Sequence, residues 1–349
     1  MIFDHPEFDN HQCVTFVRDE ASGLRAINAI HNTRSVGAGG GIRFRAYTND
    51  NEALTDALRL SSAMTYKLAL SGLPQGGAKT VIIGDPNTQK TPELLRAYGR
   101  YVDSLDGLYT CAPDVGTTTQ DMDTIGEVCR FVLGKSDQGG NTCVPTALGV
   151  FNGLRAVAKH VFKSDNLKGL RVAVQGAGGV GAHLAEQLAE AGAEILIADI
   201  NSAAAEAVAA KTGANVVGID EILFAEADVL SPNALGAILD KESIARLNVK
   251  AICGGANNQL AKPEDGDRLK DRGIAWAPDY LVNAGGVIAA GAMAGVITEA
   301  DARAKIDNIY QTTQEILARA VTDHVSSDTA ATALAKELLA NENRAKRHN

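Results

Sequence analysis

Residues 171–199 read RVAVQGAGGVGAHLAEQLAEAGAEILIAD. A short apolar run enters Gly176-x-Gly178-x-x-Gly181, opens a stretch of helical spacing, and returns to a second apolar run ending on Asp199. Each glycine has a physical reason to be there. Gly176 permits a tight turn, Gly178 lets the backbone approach a pyrophosphate, and Gly181 allows close helix packing, while the helix N-terminus offers free N–H groups and a positive dipole end to phosphate. A bare G-x-G-x-x-G is weak, and a glycine-tight strand–helix corner is the simpler alternative. Here the strand before, the helix after and an acid 18 residues past Gly181 are all present, which favours a dinucleotide site. Asp199 can accept hydrogen bonds from both ribose hydroxyls of NAD, whereas the 2'-phosphate of NADP would face an uncompensated carboxylate. Ile200-Asn201-Ser202 supplies no arginine, so NAD is the expected cofactor.

Outward from this stretch the chain alternates. Helical spacing over 146–162, 179–191 and 202–212, with strands at 171–175, 194–198 and near 228–230, 250–253 and 274–276, gives the βαβ rhythm of a parallel, doubly wound sheet. Two helices, 299–322 and 328–344, finish the chain. Upstream, 12–18 and 24–31 read as antiparallel strands around Ala21-Ser22-Gly23, and a third extended segment follows. A helix over 51–70 ends near Gly72-Leu73-Pro74; a strand at 78–86 and a helix over 91–105, opened by Thr91-Pro92, complete a mixed α/β first third. The polar, glycine-rich GKSDQGGNTCVPT from 134 reads as a linker.

A chain of 349 residues favours two domains. With 45% hydrophobic and 21% charged residues it falls in the ordinary globular class, not the collagen-like, disordered or disulfide-scaffold classes. A net charge of -9 works against nucleic acid or an anionic membrane as partner, leaving small molecules as the expected ligands. The five cysteines form no C-x-x-C pair, and the acidic N-terminus lacks the features of a signal peptide, so a reducing cytoplasm is expected. Tyr280–Thr298 is uncharged up to its end, but four glycines and many alanines leave it too little hydrophobicity for a membrane helix. The histidines are isolated, with no cluster at metal-ligand spacing. His160 and His183 read as ordinary helix residues, the polar 341–349 as a frayed end, and no metal is expected.

Two lysines flank a glycine-rich turn: Met64-Thr65-Tyr66-Lys67, then Gly76-Gly77-Ala78-Lys79-Thr80. A P-loop is rejected because the order is helix–loop–strand and the glycine spacing is wrong. Solvated charge is the usual fate of lysine. Against that, Lys67 ends a largely apolar helix and Lys79 enters an apolar strand, so both can be drawn toward a cleft. Desolvation and a neighbouring cation lower a lysine's pKa, and such a lysine can serve as a base. Ala112-Pro113-Asp114-Val115-Gly116-Thr117 sets an acid in a Pro/Gly loop, where turn capping is the plain alternative.

Taken in order, Gly40-Gly41-x-Arg43, Met64-Thr65-Tyr66-Lys67, Gly-Gly-x-Lys79, Pro-Asp114-Val-Gly-Thr, the Gly176 fingerprint, Gly255-Ala256-Asn257-Asn258-Gln259 and Ala277-Pro278-Asp279-Tyr280 with Asn283-Ala-Gly-Gly resemble the Glu/Leu/Phe/Val amino acid dehydrogenase family. The match spans nearly the whole chain and looks closest to the short leucine, valine and phenylalanine branch. The resemblance implies an N-terminal α/β substrate and oligomerisation domain (1–133), a Rossmann NAD domain (134–300), and C-terminal helices (301–349) crossing back toward the first. It implies NAD-dependent, reversible oxidative deamination of an L-amino acid to the 2-oxo acid and ammonia, by a homo-oligomer. Lys79 matches the catalytic lysine that activates water, Asp114 the acid that moves protons to and from nitrogen and water, and Lys67 the lysine that holds the substrate carboxylate beside Gly40-Gly41. Gly39, Val287 and Ala290 are implied at the substrate, and Asn258 near both substrate and nicotinamide. Thr146 looks like the residue on the nicotinamide amide. Gly179, Val180, Ile200, Asn233, Ala234 and Ala256 join Gly176, Gly178, Gly181 and Asp199 in the implied NAD site.

Some positions depart from the family pattern. Ala78 replaces a glycine, Ile42 stands where Thr or Cys is usual, and Trp276 where Tyr is common. Gly39 replaces a leucine and Ala290 a valine of the leucine type, which removes volume from the implied pocket and favours a large or aromatic side chain such as phenylalanine, with leucine possible. Ile42 and Trp276 are candidates to refill that space. Two rivals stand beside this reading: a Rossmann dehydrogenase of another substrate class, and an inactive NAD-binding scaffold.

Overall fold

The computed structural model describes residues 2–138 and 141–347. The chain forms two compact units, Met1–Gly140 with Met293–Ile297, and Asn141–Ala292 with Thr298–Asn349.

In the first unit the alternating strands of the N-terminus join a βαβ crossover in one mixed sheet. Its strands are β1 (Cys13–Asp19), β2 (Leu24–Ile30), β3 (Ala38–Arg45), β4 (Gly76–Ile83) and β5 (Tyr109–Pro113), in the order β1-β2-β4-β3-β5. The β1/β2 and β2/β4 pairs are antiparallel; β3 runs parallel to both β4 and β5. Helix α1 (Asp50–Leu70) connects β3 to β4, and α2 (Pro92–Ser104) and α3 (Thr119–Gly126) follow. α1 starts where the Asn49 side chain accepts the Glu52 N–H, and α2 where Thr91 accepts the Leu94 N–H ahead of Pro92.

Period-2 alternation sorts the sheet residues onto two faces. Ile27, Ala29 and Val81 pack on Ala53, Ala57 and Leu58 of α1. Ala38, Ile42, Phe44, Ala78 and Ile82 pack on the other face, with Leu94, Leu95 and Tyr98 of α2 and Met122 and Ile125 of α3. Gly39, Gly41, Arg43 and Lys79 therefore fall on the α1 face, and that assignment positions the site.

In the second unit every strand is parallel. After α4 (Cys143–Phe162) come β6 (Arg171–Gln175), α5 (Gly179–Glu190), β7 (Glu194–Ala198), α6 (Ser202–Thr212) and β8 (Asn215–Val216). Then follow β9 (Val229–Pro232), α7 (Lys241–Arg246), β10 (Ala251–Ile252), α8 (Glu264–Asp271), β11 (Ala275–Trp276), α9 (Asp279–Val282) and α10 (Gly285–Met293). The strand order is β11-β10-β9-β6-β7-β8. The chain winds outward from β6 on one side and resumes at β9 on the other, so the switch point, where ligands of such sheets bind, lies at the carboxyl ends of β6 and β9. The fold is α/β with a Rossmann-type second unit.

The last helices, α11 (Glu299–Thr322) and α12 (Ser327–Arg347), belong to the second unit. α11 is tied to α4: Asn152 Nδ2 donates to the Ile306 carbonyl at 3.1 Å, and Gln314 Nε2 to that of Ala156. The segment that groups with the first unit is Met293–Ile297, ahead of these helices. Of the polar end 341–349, residues 348–349 lie outside the described residues, as do 139–140 of the expected linker. That linker is shorter than its composition suggests. Cys143, Val144 and Pro145 already form the first turn of α4, where proline's missing N–H is harmless. The uncharged 280–298 stretch is broken into α9 and α10, and no helix among the described residues is long and apolar enough to cross a membrane.

Candidate active site

In the first unit, β3, β4 and β5 bring together residues far apart in sequence. The Lys79 side chain is only 10% exposed, and its Nζ lies 2.8 Å from Oδ2 of Asp114, the first residue past β5. Arg43 Nε donates to the same oxygen at 3.0 Å. The Asp114 loop is held by Thr117, whose Oγ1 accepts the Asp114 N–H at 2.9 Å and lies 2.9 Å from the Ile42 carbonyl. Burial pushes the Lys79 ammonium below the ordinary lysine range; Asp114 pulls against this and Arg43 adds to it. For Asp114, burial acts to raise the carboxyl's pKa, but Lys79 and Arg43 outweigh it and the result is lowered.

The glycines beside this pair are of two kinds. A Cβ on Gly40 would stand 1.7 Å from the Ala78 carbonyl oxygen, and one on Gly41 2.8 Å from Asp114 Cβ and 3.2 Å from Lys79 Nζ. Both positions must lack a side chain for the strands and the ion pair to form. A Cβ on Gly39 would meet nothing within 4 Å. Beneath them Tyr109 Oη donates to the Gly40 carbonyl at 3.0 Å from the opposite face. Lys67 sits in the last turn of α1, which crosses the Lys79 face so closely that a Cβ on Gly77 would be 2.1 Å from the Thr65 nitrogen. The helix–turn–strand order, closed by Gly72 at φ 66°, is the reverse of a P-loop.

Ile42 and Trp276 do not refill the space at Gly39. Ile42 is fully buried on the opposite face of the sheet, and Trp276 lies in the core of the second unit with its indole N–H on Gln259 Oε1 at 3.0 Å.

In the second unit Gly176 has φ 100°, closed to L side chains, and a Cβ there would stand 3.0 Å from Asn233 and Ala234 at the end of β9. A Cβ on Gly181 would be 1.9 Å from the Gly176 carbonyl, and one on Gly179 2.6 Å from Cys143 Sγ. At exposed Gly178 it would meet nothing within 4 Å. Asp199 Oδ2 accepts the Ala177 N–H at 2.7 Å and Oδ1 that of Asn201 at 2.8 Å, so the acid is pinned beside the glycine turn, next to an Ile200 that is 90% exposed. Asn233 braces the switch point: its Oδ1 accepts the Gly255 N–H at 2.8 Å and its Nδ2 donates to the Ser231 carbonyl at 2.9 Å. Ala234 beside it is exposed, Ala256 buried, and Val180 so placed that a Cβ on Gly255 would meet it at 2.9 Å.

Thr146 lies in the first turn of α4, not in a linker, and its Oγ1 donates to the Thr142 carbonyl at 2.7 Å. It abuts α10, since a Cβ on Gly286 would come 2.6 Å from that oxygen. Val287 and Ala290, one helical turn apart on α10, are both half-buried. Asn258 is exposed at φ 54°, and its N–H is held by Asp279 Oδ2 at 2.5 Å.

One group was without a role from sequence. Arg43 stood in the Gly-Gly-x-Arg motif, yet its two carboxylate partners, Asp56 and Asp114, lie 13 and 71 residues away, a separation no local pattern discloses.

These features have counterparts in known proteins. The family model described as the Glu/Leu/Phe/Val dehydrogenase dimerisation domain matches residues 11–130, and that for Glutamate/Leucine/Phenylalanine/Valine dehydrogenase matches 197–347. Over 343 residues the chain is 43% identical to a leucine dehydrogenase of Bacillus cereus, covering 97% of this chain and 93% of that protein. It is 42% identical over 342 residues to a valine dehydrogenase of Streptomyces virginiae, covering 95% of each. The solved structure of L-tryptophan dehydrogenase from Nostoc punctiforme matches with a TM-score of 0.87 at 38% identity, over 96% of this chain and 97% of that one.

Proposed function

The chain belongs to the Glu/Leu/Phe/Val amino acid dehydrogenase family, in its short leucine/valine branch, and from that premise we propose that it carries out NAD-dependent, reversible oxidative deamination of a large apolar L-amino acid. The observation that carries this reading is the Lys79–Asp114 pair at 2.8 Å, its lysine buried and its carboxylate half-buried, set against the bare backbone of Gly41.

NAD bound at the residues around Gly176 would supply the acceptor for the hydride of the substrate α-carbon. The residues around Gly176 fit such a ligand: open space above Gly178, helix N–H groups at the start of α5, and a pinned carboxylate at the end of β7 suited to ribose hydroxyls and hostile to a 2'-phosphate. That carboxylate supports NAD over NADP. In the first unit Lys67 takes the substrate carboxylate. Lys79, as the free amine, removes a proton from the water that attacks the carbon–nitrogen double bond, and Asp114 carries protons to and from the nitrogen that leaves as ammonia. Burial of Lys79 favours its neutral form and so favours this role.

The open space at Gly39, left unfilled by Ile42, supports a bulky side chain, phenylalanine or another large apolar residue. The tryptophan dehydrogenase relative agrees with that size; the leucine and valine dehydrogenases mark the smaller end. A homo-oligomer is supported by the edge strand β1, which ends the sheet and carries Phe16 at 65% exposure. A reducing, cytoplasmic setting suits the five free cysteines.

The deciding experiment is NADH oxidation with a 2-oxo acid, which must require ammonium; equal rates without it would end the deamination reading. Comparing kcat/KM over valine, leucine, methionine, phenylalanine and tryptophan then tests side-chain size, and a clear preference for valine would overturn that part.

A further inference from the structure

Behind the acid–base pair lies a second layer of charge. Arg43 spans two carboxylates with different edges of its guanidinium: Nε on Asp114 Oδ2 and a terminal nitrogen on Asp56 Oδ2, both at 3.0 Å. Asp56 is 8% exposed, and Tyr47 Oη donates to its Oδ2 at 2.7 Å while Arg59 reaches its Oδ1 at 3.2 Å. Lys79 and Arg43 both approach Oδ2 of Asp114. We propose that Arg43, steadied by Asp56, is a positioning residue: it fixes which oxygen of Asp114 meets the cations and supplies that carboxylate with a counter-ion that stays when Lys79 gives up its proton. This role rests on the deamination reading above.

The argument is one of charge and shape. If Lys79 were the sole partner, its deprotonation would strand a carboxylate that is only 25% exposed, and the cost of leaving a largely desolvated charge unpaired would hold the proton on the lysine. Arginine does not deprotonate in proteins, and its planar fork reaches two acids at fixed angles, which a lysine cannot do. With the amine neutral, Asp114 and Asp56 are balanced by Arg43 and the outer Arg59. Lys67 ends α1, the helix on this face of the sheet, and beyond the Asp114 loop Lys90 Nζ holds Asp121 at 2.7 Å and the Gly116 carbonyl at 3.1 Å.

The test compares Arg43→Gln and Asp56→Asn in the full-length enzyme by the pH dependence of kcat/KM for deamination, with NADH titration and thermal unfolding as controls for the fold. Losing the Arg43 charge moves the acid limb to higher pH, by roughly one unit, because a cation near Lys79 has gone. Losing the Asp56 charge moves it the other way, and less, because an anion has gone while Arg43 keeps its hold on Asp114. Opposite shifts establish the role. Loss of activity in both variants with the limb unmoved would mean mere scaffolding and overturn it. If Arg43→Gln does not fold, Asp56→Asn decides alone, and a limb that stays or rises overturns the proposal. Failure of the unmodified enzyme to require ammonium would instead strike the deamination reading itself.

Discussion

Each of the two units holds glycines of two opposite kinds, and the contrast of Gly40 with Gly39 in the first, and of Gly181 with Gly178 in the second, separates what the fold requires from what it leaves open. At Gly40, Gly41, Gly176 and Gly181 the room for a side chain is already taken by the protein's own backbone or by the side chains of Asp114, Lys79 and Ala234. At Gly39 and Gly178 that room is empty. Glycines of the first kind answer to folding or to the geometry of the ion pair. Those of the second kind leave space, which under the proposed function would take an apolar side chain in one unit and a pyrophosphate in the other. The units differ in chemistry as well: the first gathers the charges of Lys79, Arg43, Asp56 and Asp114, and the second presents a glycine turn beside one pinned carboxylate.

The largest effect should come from the charges. Lys79→Ala is expected to lower turnover by roughly 10²- to 10⁴-fold, the usual contribution of a general base, while NADH binding by fluorescence titration stays unchanged. Near-native turnover would break the contrast at its first term. In the unmodified enzyme kcat/KM should rise with pH, because the amine form is the active one, and its midpoint should lie below lysine's ordinary value of about 10.4, because burial lowers the Lys79 pKa. A profile flat from neutral to alkaline pH would count against a lysine base.

Next in size is Gly40→Ala, whose new methyl would collide with the Ala78 carbonyl; a stability loss on the order of 3 kcal/mol is expected, read as a lower melting temperature. Gly39→Leu, into open space, should leave the melting temperature within a degree or two, yet shift the phenylalanine-to-valine ratio of kcat/KM toward valine. Each methylene in a hydrophobic pocket is worth roughly 1–3 kcal/mol of discrimination, and an unchanged ranking would show that this space is not the substrate's. The smallest effect is that of Gly178→Ala: unaltered stability, with NAD affinity about tenfold weaker, or about 1.4 kcal/mol. A destabilised protein with intact affinity would place Gly178 with the first kind of glycine.

Much of this was legible in the chain itself. The strands and helices around the Gly176 motif follow the sequence reading because hydrophobic periodicity there is long and clearly punctuated. The elements that escaped it are short or poorly patterned. α8 (EDGDRLKD) has one leucine among six charges and a glycine, α3 and α7 have only eight and six residues, and β5 ends on a proline. Their order comes from tertiary packing and capping, as where Thr118 and Asp121 close a capping box at the start of α3.

The sequence by itself determined the order of motifs, and with it the family and the α/β class, and it singled out Lys67, Lys79 and Asp114 as candidates, since local spacing and residue type carry that information. Only the tertiary structure decided that Lys79 is desolvated against Asp114, that Ile42 turns away from the empty space at Gly39, and that Arg43 joins Asp114 to Asp56. Desolvation, the face a strand residue takes and the meeting of charges on separate elements all depend on strand pairing and on helix packing across the sheet. No local pattern encodes them, because each depends on atoms that the chain brings close only by folding.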